Sequence, residues 1–160
     1  MAHFLIAGLL VDTDAERQAV EDVTPSQLRS FLNGLDDGEP LTLDITSYGG
    51  SVTAGLAMLG LLRQASADGH HTTAHIIGIA ASMASALACG CEDLTIDSNA
   101  FVMVHLPWTS TTGNAVDLRK EADTLDLYRD SLVAVYRTKF DLPDSVIVKM
   151  LEDETWFLGA

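Results

Sequence analysis

Apolar positions recur along the chain with two periods, and each change of period marks an element. Residues 4–10 (FLIAGLL) are almost continuously apolar, which predicts a buried strand. The acidic stretch 12–22 then predicts a surface loop. A helix start follows: Thr24 and Gln27 are spaced as a capping box, and Pro25 takes the first helical position. Leu28, Phe31, Leu32 and Leu35 fall at i, i+3, i+4 and i+7, one apolar face, and Gly34 and Gly38 bring the helix to a stop. At 41–46 the period drops to two. Leu41, Leu43 and Ile45 alternate with Thr42, Asp44 and Thr46, as in a strand. A turn at 47–51 feeds a helix over 52–66, and a β-branched run at 72–79 predicts the next strand. Residues 41–79 thus read as a β-α-β unit with parallel strands and a right-handed crossover. The small residues of 80–88 predict a closely packed helix, 93–97 and 100–104 two short strands, and 115–140 a long helix. A shorter helix at 144–152 follows the Leu142-Pro143-Asp144 break, and no closing element is predicted after it.

The chain has 160 residues, enough for one domain with a sizeable core. Nine Lys and Arg face 23 Asp and Glu, a net charge of −14. That balance argues against a nucleic-acid surface, which needs clustered cations. The charge is uneven: residues 1–118 hold three cations (Arg17, Arg29, Arg63) and fourteen acids, residues 119–160 six cations and nine acids. The second stretch, of mixed sign, suits a solvated helix. The apolar run near the N-terminus is far shorter than the roughly twenty residues a bilayer requires. It also lacks the basic leader and small-residue cleavage site of a signal peptide. Cys89 and Cys91 are too close for an ordinary disulfide framework, and C-x-C without a second pair is a weak metal pattern. Buried free thiols, a cytoplasmic setting, no metal, no cofactor and no membrane association are therefore expected.

Three features carry candidate chemistry. Gly49-Gly50 lies between a strand and a helix, where adjacent glycines allow positive φ and let a backbone N–H face an anion or oxyanion. Strand-to-helix turns also use glycine for ordinary reasons. Ser82, in GIAASMAS, falls at the first turn of a helix after a strand. It is an exposed hydroxyl resembling a nucleophile elbow, or else a helix cap. Ser85, one turn on, is the competing hydroxyl. His105 directly follows a strand, where sites gather in α/β sheets. His70, His71 and His75 match no metal-ligand spacing. Together Ser82, His105 and the backbone at Gly50 and Met83 supply a nucleophile, a base and oxyanion donors. Only the acid that orients the histidine is left unassigned.

Four blocks resemble the Clp protease proteolytic subunits, the ClpP-like serine peptidases, and most nearly their phage and prophage head maturation branch. Thr46-Ser47-Tyr48-Gly49-Gly50-Ser51-Val52 is similar to N-S-P-G-G-S-V. Residues 78–85 are similar to G-x-A-A-S-M/A-x-S, and Met103-Val104-His105-Leu106-Pro107-Trp108 to M-I-H-x-P-W. Asn114-Ala115, Asp117-Leu118-Arg119-Lys120 and Glu154-Thr155-Trp156 are similar to the phage-type branch.

The resemblance implies an α/β fold, a ClpP/crotonase-like spiral of β-β-α units with a protruding handle helix. It implies one domain over 1–160, with a head of about 1–108, a handle region of about 109–152 and a shortened C-terminal end. Ser82 matches the nucleophile, His105 the general base, and Gly50 and Met83 the oxyanion donors. Gly49, Ser51 and Val52 would hold substrate main chain by strand addition. The acidic position falls on Glu154, and a one-residue slip moves it to Asp153 or Thr155; Glu154 and Asp153, the two carboxylates, are equally the candidates. The implied activity is a serine endopeptidase needing no ATP of its own. It would work as a heptameric ring or double ring on peptide or protein substrates, capsid or scaffold proteins among them. The unfoldase partner is unspecified, and the setting is the bacterial cytoplasm or a phage procapsid. The alternative is a catalytically inactive assembly or scaffold protein of the same fold. Tyr48 stands where the family has proline, which predicts a looser turn beside the oxyanion donors.

Overall fold

The computed structural model describes residues 1–159; Ala160, the last residue of the expected domain, lies outside them. The fold is mixed α/β, built on one six-stranded sheet. The strands are β1 (Ala2–Ile6), β2 (Leu41–Ser47), β3 (Thr72–Ala81), β4 (Asp93–Ile96), β5 (Phe101–Val104) and β6 (Thr155–Leu158). The helices are α1 (Pro25–Leu32), α2 (Val52–Ala67), α3 (Met83–Cys89), α4 (Ala115–Tyr136) and α5 (Asp144–Glu152). Neighbours run β1-β2-β3-β5-β6, and β4 also pairs with β3. Long β3 shares one edge between two partners: Thr73–Ile76 pair with β4, and Ile79–Ala81 pair with β5. All these pairings are parallel except β5 with β6. The parallel β2-α2-β3 unit agrees with the alternation and β-branched runs that predict it.

The predicted helix starts hold for physical reasons visible in the structure. Thr24 and Gln27 form the reciprocal capping box ahead of Pro25. Ser51 caps α2 by accepting from Ala54 N–H. Leu28, Met58, Leu59, Leu62, Ala84 and Leu87 bury completely beside Leu41, Leu43, Ile45 and Ile76. The other sheet face carries polar pairs: His3 on Asp44, and His75 between Asp44 and Asp97. His71 similarly lies between Glu92 and Asp93. Cys89 and Cys91 are free and buried, and burial pushes both thiols up to about 12.

Several expectations are corrected. The first strand ends at Ile6 rather than at residue 10. The chain bends where Gly8 packs on the Glu21 backbone, and Leu10 bridges separately to Val23 and Gly50. The acidic loop contains a short 3-10 turn, Asp14–Glu16, and is tied down by Asp22, which accepts from Leu9, Gln18 and Ala19 N–H. Ala80 and Ala81 belong to β3 and not to the following helix, because their backbones pair with Val102 and Met103. The long helix stops at Tyr136, before residue 140. Thr138 turns the chain there, its hydroxyl donating to Cys89 O. The missing closing element is β6, whose Thr-Trp-Phe-Leu run pairs antiparallel with β5. In α4 only the last turns are buried, at Leu132, Val133, Val135 and Tyr136, while Val116, Leu118 and Leu127 are exposed.

Candidate active site

Ser82 closes β3 and opens α3. Its backbone has φ 54° and ψ −128°, a conformation that L-residues seldom adopt and that costs about 1–3 kcal/mol. Its side chain makes no cap hydrogen bond, so the capping role considered from sequence does not hold. The hydroxyl is instead hydrogen-bonded to His105 Nε2 at 2.7 Å. His105 follows β5: Ser82 N–H donates to Met103 O of that strand at 2.9 Å, and Leu106 N–H, just past His105, donates to Leu151 O of α5 at 3.1 Å. Burial holds the His105 imidazole below its ordinary value, and the negative charge of Glu154 acts against that shift. A neutral imidazole hydrogen-bonded to a hydroxyl is poised to take its proton.

The glycine turn meets the serine turn from the other side. Gly49 (φ 93°) and Gly50 (φ 144°) both need conformations that favour glycine. A Cβ on Gly49 would stand 2.6 Å from Ala81 O and 2.8 Å from Met83 N, so only glycine lets the two turns approach this closely. Among the described residues, neither Gly50 N–H nor Met83 N–H donates to any group. Two unpaired N–H groups beside a nucleophilic hydroxyl can receive a developing oxyanion. A cleft of about 430 Å³ opens here, with Tyr48, Gly50, Val52, Ser82, His105 and Trp108 among its walls.

The remaining expected residues divide. Ser51 and Val52 line the cleft, but Ser51 N–H already donates to Leu10 O. Its hydroxyl donates to Asp12 at 2.6 Å, and it is the bond to Leu10 O that occupies the Ser51 N–H a substrate strand would use. Gly49 is buried against α3 rather than facing the cleft. The turn is not loose despite Tyr48, because Ser47 Oγ accepts from Gly49 N–H and donates to Gly8 O. Asp153 pairs its carboxylate with Lys149 and is not among the residues lining the cavity at His105. Glu154 and His105 line a common cavity. Among the described residues no carboxylate accepts from His105 Nδ1. Ser85 is buried, with its hydroxyl on Ser82 O, Met103 O and Tyr136 OH, and so does not compete as the nucleophile. Tyr136 is a contact that sequence reasoning missed, because nothing in a long amphipathic helix marks its last residue as reaching a distant turn. Among the described residues no three His, Cys, Asp or Glu groups are placed to hold a metal. No helix among them is long and apolar enough to cross a membrane.

Residues 8–160 match the Clp protease family. The chain is 33% identical over 149 residues to an ATP-dependent Clp protease proteolytic subunit of Chara vulgaris, covering 89% of this chain and 66% of that one. It is 32% identical over 149 residues to the corresponding subunit of Physcomitrium patens, covering 89% and 73%. It is also 28% identical over 155 residues to proteolytic subunit 3 of Rhodococcus jostii, covering 96% and 72%. The chain therefore spans between 66% and 73% of the length of these relatives.

Proposed function

Because the chain belongs to the Clp protease family, we propose that it is a serine endopeptidase acting through Ser82, His105 and Glu154. The observation that carries this reading is the 2.7 Å hydrogen bond between Ser82 Oγ and His105 Nε2 at the cleft. Ser82 Oγ attacks the peptide carbonyl while His105 takes its proton. The imidazolium then gives that proton to the leaving amine. Water attacks the resulting ester, with His105 again as base, and the acid product leaves Ser82 free. Gly50 and Met83 N–H donate to the oxyanion in both steps. Glu154, the carboxylate whose charge reaches His105, stabilises the imidazolium, and Asp153 does not. No cofactor enters this chemistry, and the chain itself consumes no ATP.

The same reading makes the protein a single ClpP-like domain with α4 as its handle. It assembles as a heptameric ring or double ring around a chamber that admits peptide or protein substrates. The exposed Val116, Leu118 and Leu127 on α4 support packing between copies. The phage-type blocks in α4 and at Glu154-Thr155-Trp156 support a capsid or scaffold protein as substrate, and head maturation in a bacterial cytoplasm or procapsid as the setting. A fluorophosphonate probe tests the chemistry: it labels Ser82, and Ser82→Ala abolishes labelling. Label that persists in Ser82→Ala and maps to Ser85 refutes the assignment. The second reading, an inactive assembly protein, is favoured by the lack, among the described residues, of a carboxylate on His105 Nδ1. A large ring that takes no label would establish it.

A further inference from the structure

The carbonyl of Ser82 is gripped from behind the cleft. Ser85 Oγ donates to it at 2.7 Å, Tyr136 OH lies 3.3 Å from it, and the two hydroxyls are 2.8 Å apart. Ser85 and Ala86 N–H also donate to the same oxygen, at 3.0 and 3.3 Å. Tyr136 is fully buried at the end of α4 and stacks on Phe140 with ring centroids 5.7 Å apart. Burial also raises the Tyr136 hydroxyl above its ordinary value, which keeps it a proton donor.

The consequence follows from peptide geometry. The bond between Ser82 and Met83 is planar and trans, so its C=O and N–H point in opposite directions. Fixing the carbonyl on the Ser85–Tyr136 side aims Met83 N–H to the opposite side, where the Gly49 turn lies against it. The same grip holds Ser82 in its unfavourable φ and ψ, because rotation of ψ would release the carbonyl. We propose that Ser85 and Tyr136 are positioning residues, a two-hydroxyl clamp from α3 and α4 that holds the Ser82 turn and aims the Met83 N–H at the oxyanion. This inference rests on the reading of Ser82 as nucleophile.

Tyr136→Phe keeps the stacked ring and removes only the hydroxyl. Ser85→Ala is the smaller companion change and serves if the first variant folds poorly. Fluorophosphonate labelling of the full chain gives an inactivation constant and a half-saturation concentration for each. Loss of a whole oxyanion donor costs about 10²–10³ in rate, and a donor that is present but free to swing costs less, about tenfold. The expected result is therefore an inactivation constant lowered about tenfold in each variant. The half-saturation concentration and the pH midpoint stay unchanged. The double variant falls no further than either single one, because the hydroxyls act as one unit. Variants that melt earlier yet label at the wild-type rate overturn the inference and leave a structural role only. A slowed rate with a displaced pH midpoint also overturns it, since the effect then lies on His105. A wild-type chain that takes no label at Ser82 refutes the peptidase reading, and this inference with it. A labelled wild type with unaffected variants refutes the clamp alone.

Discussion

Glu154 approaches His105 without bonding to it: its charge raises the proton affinity of the imidazole, yet among the described residues no carboxylate accepts from Nδ1. Glu154 itself sits at positive φ, 50°, in the turn between α5 and β6. His105 is thus held by β5, by the adjoining Leu106–Leu151 bond to α5 and by burial, and the charge of Glu154 acts on it through space.

This arrangement sets the pH dependence expected of Ser82 as the proposed nucleophile. Burial, the larger influence, holds His105 below its ordinary value of 6.5, and Glu154 opposes it. Only neutral His105 can accept the Ser82 proton. Labelling of Ser82 should therefore rise with pH through a midpoint below 6.5 and stay level across neutrality. Glu154→Gln removes the opposing charge and moves the midpoint lower still. It should lower the plateau rate by about 10–100-fold, less than the roughly 10⁴-fold loss seen where the acid is bonded to the histidine. Asp153→Asn should change neither quantity, because Asp153 is occupied by Lys149. An Asp153→Asn profile that moves while that of Glu154→Gln does not would reverse the assignment.

The backbone of Ser82 makes a stability prediction with a built-in control. Its φ of 54° and ψ of −128° suit glycine better than any L-residue. Releasing about 1–3 kcal/mol of strain outweighs the roughly 0.5–1 kcal/mol entropy cost of a glycine. Ser82→Gly should thus melt about 2–4 °C above Ser82→Ala, a spacing typical of 1 kcal/mol in a chain of this size. Both variants lose the hydroxyl and its bond to His105, so the comparison isolates the strain. Equal melting temperatures would show that the strain is no larger than the roughly 0.5–1 kcal/mol entropy cost of the glycine.

The sequence was most readable where local chemistry alone decides structure. The Thr24–Gln27 box, the alternation at Leu41–Ile45 and the turn signals around Gly49-Gly50 required no tertiary information. Reading failed where a distant pairing overrode composition. Ala80 and Ala81 look helical but lie in β3 because β5 needs their backbones. Thr155–Leu158 reads as a tail but becomes a strand because β5 offers a free edge. In the site, Ser82 and His105 were visible as residue types in suitable places, while their 2.7 Å approach depends on β3 and β5 being neighbours. The contact that separates Asp153 from Glu154 comes from the α5 geometry, which brings Lys149 to Asp153 and is invisible in two adjacent acids. The Ser85–Tyr136 contact joins residues 51 positions apart and leaves no trace in either local pattern.

Gly49, in the turn before α2, and Gly60, within α2, should respond in opposite ways to alanine. At Gly49 a Cβ would press on Ala81 O at 2.6 Å and Met83 N at 2.8 Å, in a backbone with φ of 93°. Gly49→Ala should cost about 2–3 kcal/mol and remove most labelling, since the displaced atoms belong to the candidate oxyanion turn. Gly60 lies within α2 with nothing inside 4 Å of its Cβ position. Gly60→Ala should stabilise by about 0.5–1 kcal/mol through helix propensity and leave labelling unchanged. Chemical denaturation and probe labelling of both variants check the pair. A tolerated alanine at Gly49 would contradict the close approach of the two turns.

The open face of the sheet should make stability depend on pH in the direction set by His75. Its Nε2 faces Asp97 at 3.0 Å and its Nδ1 faces Asp44 at 3.3 Å, while the other oxygen of Asp44 holds His3 at 2.8 Å. A neutral imidazole has one N–H and can satisfy only one of its two carboxylates, whereas the protonated ring donates to both. The hydrogen bond to Asp97, then that to Asp44, accordingly raises His75 above 6.5, and Asp93 and Glu92 raise His71 in the same way. The folded state binds these protons more tightly than the unfolded state. The stabilisation is therefore complete below the unfolded value and is lost as pH rises through the raised, folded value. His75→Gln should melt well below wild type near pH 6, and the gap should narrow steadily as pH rises above 6.5. Replacing His71 and His75 together should reduce the fall in melting temperature over that window. Thermal melts at a series of pH values and fixed ionic strength measure both effects. A gap that widens toward alkaline pH would mean that His75 is held neutral, and that the carboxylates of Asp44 and Asp97 do not share its proton donors.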